Sequence, residues 1–215
     1  MNTEKWSVST QTIFNGVLIF AICGVLRPIF DFVRSVVSMG NTLSSIAGGS
    51  QMSGTEWFLK ITVTLLLIGI IYGYYMYMKG LQDFSTILEP ADSQAILKVR
   101  TAAMLILIGF GIALLFSWIP FAGWFGRWVA FFFYIIAYIF MIMGFSSLKS
   151  SSTFNHIAKK GAEMLFVAAI LLLVAVVVNI IPFIGGILNI IVSIVAYIMV
   201  FIGWAKIKSA AKQVA

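Results

Sequence analysis

The chain has 215 residues, of which 61% are apolar and only 10% charged, and its mean hydropathy is +1.07, a balance outside the range of soluble domains. The formal charge of +7 comes from residues at the ends of apolar runs. It includes no basic stretch interleaved with polar or aromatic readers, which excludes a nucleic-acid surface.

In chain order, residues 1–12 are polar apart from Trp6 and Val8, and an apolar run follows from Ile13 to Leu26. Glu4 neutralises Lys5, and no small-x-small site precedes a polar stretch, so the run is expected to be an uncleaved first span. Cys23, the single cysteine, forms no internal disulfide and leaves the redox compartment open. Arg27 and Pro28 are expected to end or kink the helix. At 100° per residue, segment 29–39 gathers Ile29, Phe30, Phe32, Val33, Val36, Val37 and Met39 on one side, with Asp31, Arg34, Ser35 and Ser38 opposite. Such a segment either lies at a membrane interface or continues the first helix past the proline. Residues 40–56 are rich in glycine, serine and threonine and predict a flexible loop.

A second span is expected from Trp57 to about Met78. Its helix continues through Leu81, Phe84 and Leu88 to Glu89, where Pro90 stops it. Asp92 is the expected cap of the next helix, whose span covers Thr101 to Ile119. Residues Pro120 to Gly123 turn the chain into a fourth span, Trp124 to Ser147. Lys149 to Thr153 form another turn, and helix five starts near Phe154 and crosses as Leu165 to Ile181. A turn at Pro182 leads into helix six, Ile187 to Ala205, and a short basic tail. Leu165 to Ala205 contains no charged residue. At about 20 residues per crossing, it predicts two spans and a tight turn. The absence of ten-residue polar/apolar alternation favours helices over a barrel.

The chain also repeats. Ala137 to Ser150, AYIFMIMGFSSLKS, returns as Ala196 to Ser209, AYIMVFIGWAKIKS, with six of fourteen positions identical. A weaker copy places Tyr74 six residues before Gly80, as Tyr138 precedes Gly144 and Tyr197 precedes Gly203. Pro120 and Pro182 share the context Ile-Pro-Phe-x-Gly. The expected fold is all-α: one membrane domain, 1–215, of six transmembrane helices arranged as three parallel-repeat hairpins, about 1–90, 91–150 and 151–215. The recurring glycines are expected where helices approach closely.

Across six spans, one side collects Lys5, Lys79, Lys98, Arg100, Lys149, Lys159, Lys160, Lys206, Lys208 and Lys212. The other has Arg27, Arg34, Lys60 and Arg127. The positive-inside rule therefore predicts both termini in the cytoplasm and residence in a cell inner (plasma) membrane. Trp57, Trp118, Trp124 and Trp128 are expected at the outer interface, with Trp6 and Trp204 at the inner one.

Chemistry-bearing patterns are sparse. No ionisable residue is expected within the hydrocarbon region, since Lys60 and Lys79 sit near span ends and Glu163 at a helix mouth. His156 stands alone in a loop, which suits neither a metal site nor a hydrolase, and no glycine loop for phosphate occurs. Within the spans, Asn15, Thr62, Thr64, Ser117, Asn179, Ser193 and the helix-two tyrosines are expected to bond neighbouring helices, with lining of a path as the alternative. The expected protein has no cofactor, metal or catalytic residue. It acts through lipid or protein interactions, with the lipid bilayer and a membrane-protein partner or second copy as its partners, as a scaffold, accessory subunit or membrane-integrity factor. The alternative is a small transporter, channel or lipid-moving protein for neutral or lipid substrates.

Overall fold

A computed structural model describes residues 3–46, 54–117, 123–181 and 184–210. It is all-helical: α1 (Thr3–Ile46), α2 (Gly54–Ser85), α3 (Pro90–Ser117), α4 (Gly123–Lys149), α5 (His156–Val178) and α6 (Ile184–Ala210). All six are long and apolar enough to cross a membrane. Apolar runs of this length adopt helix because every backbone group is then satisfied within the segment. Pro90 starts α3, where its missing N–H costs nothing. Asn155 caps α5 by accepting from the Ala158 backbone N–H at 2.9 Å.

The helices form a closed ring in chain order. Each packs on its chain neighbours, most extensively within the pairs α1/α2, α3/α4 and α5/α6, and α1 meets α6 to complete the circuit. The within-pair crossings run over glycine. A Cβ on Gly80 would lie 2.7 Å from the Ile13 backbone N of α1. One on Gly144 would lie 2.7 Å from the Ala95 carbonyl of α3, and one on Gly203 would lie 2.9 Å from the Gly161 carbonyl of α5. Gly16 and Gly73 approach each other in the same reciprocal way. Exposed apolar side chains such as Phe32, Phe58, Leu65, Phe132 and Ile191 cover the outside, as expected of helices facing lipid.

Packing is uneven along the axis. At the end that carries both termini, Trp6, Ile13, Val17, Phe20, Tyr77, Leu81, Phe84, Phe145, Leu148, Trp204 and Ile207 are all buried. Polar ties lock this terminal end: the Trp6 indole N–H donates to the Ile207 carbonyl at 3.1 Å, and Asn155 Nδ2 donates to the Ala210 carbonyl at 3.3 Å. Towards the far end the packing loosens, and among the described side chains of α1 none beyond Phe20 is buried.

Several expectations change. α1 runs through Pro28 unbroken, so segment 29–39 continues the first helix, and Gly40 to Ile46, read as loop, are helical. Pro28 removes one i→i−4 bond, and α1 remains helical across it. α2 stops at Ser85, and residues 86 and 87 form turns, with Thr86 N donating to the Asp83 carbonyl and Ile87 N to the Phe84 carbonyl. Asp92 lies inside the first turn of α3 and does not cap it. Its carboxylate instead accepts from Ser151 Oγ at 2.6 Å and from Thr153 Oγ1, fastening α3 to the α4–α5 turn. Trp6 and Trp204, expected at an interface, are core residues, 2% and 0% exposed.

Candidate binding site

The interior of the terminal half is an aromatic stack. Phe20 lies flat on Tyr74 with ring centroids 4.4 Å apart, and Tyr77 meets Phe20 edge-on at 5.5 Å. Trp204 then receives the edges of Tyr77, Phe145 and Phe84 at 5.8, 6.3 and 6.5 Å. Such edge-to-face contacts each add about 0.5–1.5 kcal/mol beyond area burial. The Trp204 indole N–H has no partner of hydrogen-bonding geometry, although the Tyr77 side chain lies beside it. Between Phe20, Tyr74, Tyr77, Met141, Phe145 and Leu172, a void of about 20 Å³ remains. That is room for one water molecule, but apolar walls keep such a space dry.

Above this stack, towards the far end, stands Arg27. Its Nε pairs with Asp31 Oδ2 at 3.5 Å, one turn further along α1, and the two side chains are 29% and 43% exposed. The guanidinium carbon lies 5.6 Å from the centroid of the Phe110 ring on α3. Tyr134 of α4 and Tyr197 of α6 are close enough to Arg27 to interact with it electrostatically. Two glycines make room for these phenols. The Tyr197 hydroxyl would touch a Cβ on Gly24 at 3.0 Å, and the Tyr134 ring would meet one on Gly109 at 2.7 Å. Phe110 and Tyr134 pack together at 5.4 Å. Four helices thus converge on one guanidinium, and Nε is buried without a hydrogen-bond partner of its own.

Arg27, expected at a helix end, lies inside α1, in the stretch Glu4–Ser38 that is long and apolar enough to cross a membrane. Pro28, which follows it, reads locally as a helix end. The i,i+4 spacing of Arg27 and Asp31, together with the amphipathic run to Met39, was the signal that the helix continues.

The residues singled out from the repeat are distributed as follows. Tyr74 and Tyr138 are buried, and Tyr197 is half-buried. The three lie close enough together to interact. Gly80, Gly144 and Gly203 stand at the helix crossings already given, while Pro120 and Pro182 lie outside the described residues. Most polar residues expected to bond neighbouring helices bond within their own. Gln11 Nε2 donates to Asn15 Oδ1 at 2.7 Å, the hydroxyls of Thr62 and Thr64 donate to the carbonyls of Phe58 and Lys60, and Ser193 Oγ donates to Asn189 Oδ1 at 3.2 Å. Asn179 is the exposed C-cap of α5. These short side chains reach the carbonyl one turn back more readily than a neighbouring helix. The Ser117 side chain lies outside the described set. His156 opens α5 and is exposed. Among the described residues, no three His, Cys, Asp or Glu side chains gather as a metal site would require.

Comparison with known proteins gives no match to the chain, whether against family models, curated proteins or solved structures.

Proposed function

We propose that this is a noncatalytic multi-pass protein of a cell inner membrane, with both termini cytoplasmic and three hairpins as parallel repeats, that works by binding lipid or protein and not by conducting solutes. The observation that carries the reading is the aromatic stack. Between Phe20, Tyr74, Tyr77, Phe145 and Leu172 lies a void of only about 20 Å³. Ions cross membranes where charged rings or ordered carbonyls replace their hydration, and the side chains of this layer offer neither. An apolar exterior with a tightly filled terminal half suits a scaffold, accessory subunit or membrane-integrity factor. Internal packing of this kind holds the shape that a partner or lipid recognises.

Reconstitution tests it. Purified protein in planar bilayers and in dye-loaded vesicles is expected to give ion currents and solute efflux no greater than lipid alone, with or without a proton gradient. Reproducible currents that rise with protein dose would overturn the non-conducting reading.

A further inference from the structure

We infer that Arg27 is the anion-binding element of an internal phosphate site, set to hold a phosphate group such as that of a phospholipid. The inference deepens the proposed function and rests on its reading of the bundle as membrane-spanning.

Position comes first. About 20 Å of helix, at 1.5 Å per residue, separates Ile184 at the start of α6 from Tyr197, and Tyr197 is one of the two phenols beside Arg27. In a hydrocarbon layer roughly 30 Å thick, the guanidinium is then well below the far-end surface. A charge at that depth costs several kcal/mol and is retained where it has work to do.

Geometry comes second. A guanidinium carries five N–H donors in a rigid fork. Asp31 engages only the Nε side, at 3.5 Å, and no described residue hydrogen-bonds the two terminal nitrogens. The carboxylate stands beside Nε and leaves the terminal fork available. That fork is the part of arginine that matches two oxygens of a phosphate. The Phe110 ring centroid lies 5.6 Å from the guanidinium carbon, and Tyr134 and Tyr197 lie within electrostatic reach of Arg27. Arg27, Tyr134, Tyr197 and Phe110 all retain partial exposure, so a ligand can reach them. The aromatic stack beneath closes the far side of the site.

The test is native mass spectrometry of the full chain in mild detergent with added dioleoyl phosphatidylglycerol, beside dioleoylglycerol, which has the same tails and no phosphate. Wild type is expected to bind the phospholipid, and Arg27→Gln to bind it about tenfold or more weakly, the loss of one charged hydrogen-bond pair. Dioleoylglycerol should bind both equally poorly. Added inorganic phosphate that displaces the phospholipid identifies free phosphate as a ligand of the same fork; failure to displace it identifies the lipid headgroup as the ligand. Equal phosphatidylglycerol binding by wild type and folded Arg27→Gln overturns the inference. Should that variant fail to fold, Arg27→Lys keeps the charge without the fork and is expected to weaken binding by about threefold or more, unchanged affinity being the refuting result. Currents in the reconstitution assay alongside Arg27-dependent lipid binding would overturn the non-conducting reading alone. Equal lipid binding with silent bilayers would overturn the phosphate site alone.

Discussion

Replacing Gly203 by alanine adds one methyl group at a close approach of α5 and α6. The new Cβ would stand 2.7 Å from Leu165 Cγ, 2.9 Å from the Gly161 carbonyl oxygen and 3.0 Å from Leu165 Cδ2. Leu165 can rotate, but it is fully buried and has little free space to enter. The Gly161 carbonyl belongs to a helical backbone and moves only with α5. Ordinary contact begins at 3.4 Å, so the helices must part by about half an ångström, a gap that forfeits about a quarter of the dispersion well of each contact nearby. Overpacking of this kind costs about 1–3 kcal/mol, against which alanine returns about 0.8–1.0 kcal/mol of helix propensity. Net destabilisation of about 1 kcal/mol is expected. Gly161→Ala, whose Cβ would meet the Gly203 carbonyl at 2.6 Å, should cost more. Gly111→Ala is the control: nothing lies within 4 Å of its Cβ position, so only the propensity gain remains and the protein should become slightly more stable. Thermal unfolding in detergent, followed by circular dichroism, ranks the three. Gly203→Ala and Gly161→Ala melting at or above Gly111→Ala would refute the close-approach reasoning.

Trp6→Phe keeps an aromatic ring against Phe84 but removes the donor to the Ile207 carbonyl, and should lower stability by about 1–2 kcal/mol; an unchanged melting temperature would show that the bond contributes nothing. Asp92→Ala frees Ser151 and Thr153, so limited proteolysis should cut near residues 150–155 sooner than in wild type, and equal cutting would count against the tie. For topology, in a Cys23→Ala background, a cysteine at the exposed Gly40 should react with an impermeant reagent added outside the cell. One at the exposed Ser152 should react only after permeabilisation, and the reverse pattern would invert the proposed orientation.

The helices were legible because an uncharged apolar run such as Leu165 to Ala205 has few ways to satisfy its backbone other than as helix. Their ends were less so. Pro28 reads as a boundary from its local chemistry, yet α1 continues through it to Ile46, and no residue next to the proline announces that continuation. The same error hid Arg27. Once the helix is taken as continuous, Arg27 and Asp31 fall one turn apart, and the charge moves from a helix end into the middle of α1. Its surroundings were beyond reach of the sequence: Phe110, Tyr134 and Tyr197 lie on three other helices, and no spacing along the chain brings them together. Trp6 and Trp204 misled for a related reason. Tryptophan near a span end suits an interface equally well, and only the ring order buries these two.

Closure of that ring by α1 against α6 has a consequence for biosynthesis. The Trp6–Ile207 bond joins residues 201 positions apart, so α1 has this flank vacant until α6 has been made. During that interval Trp6 and Phe14 lack the contacts that Ile207, Lys208 and Phe201 make with them in the complete bundle. A chain that stalls before α6 leaves this seam open.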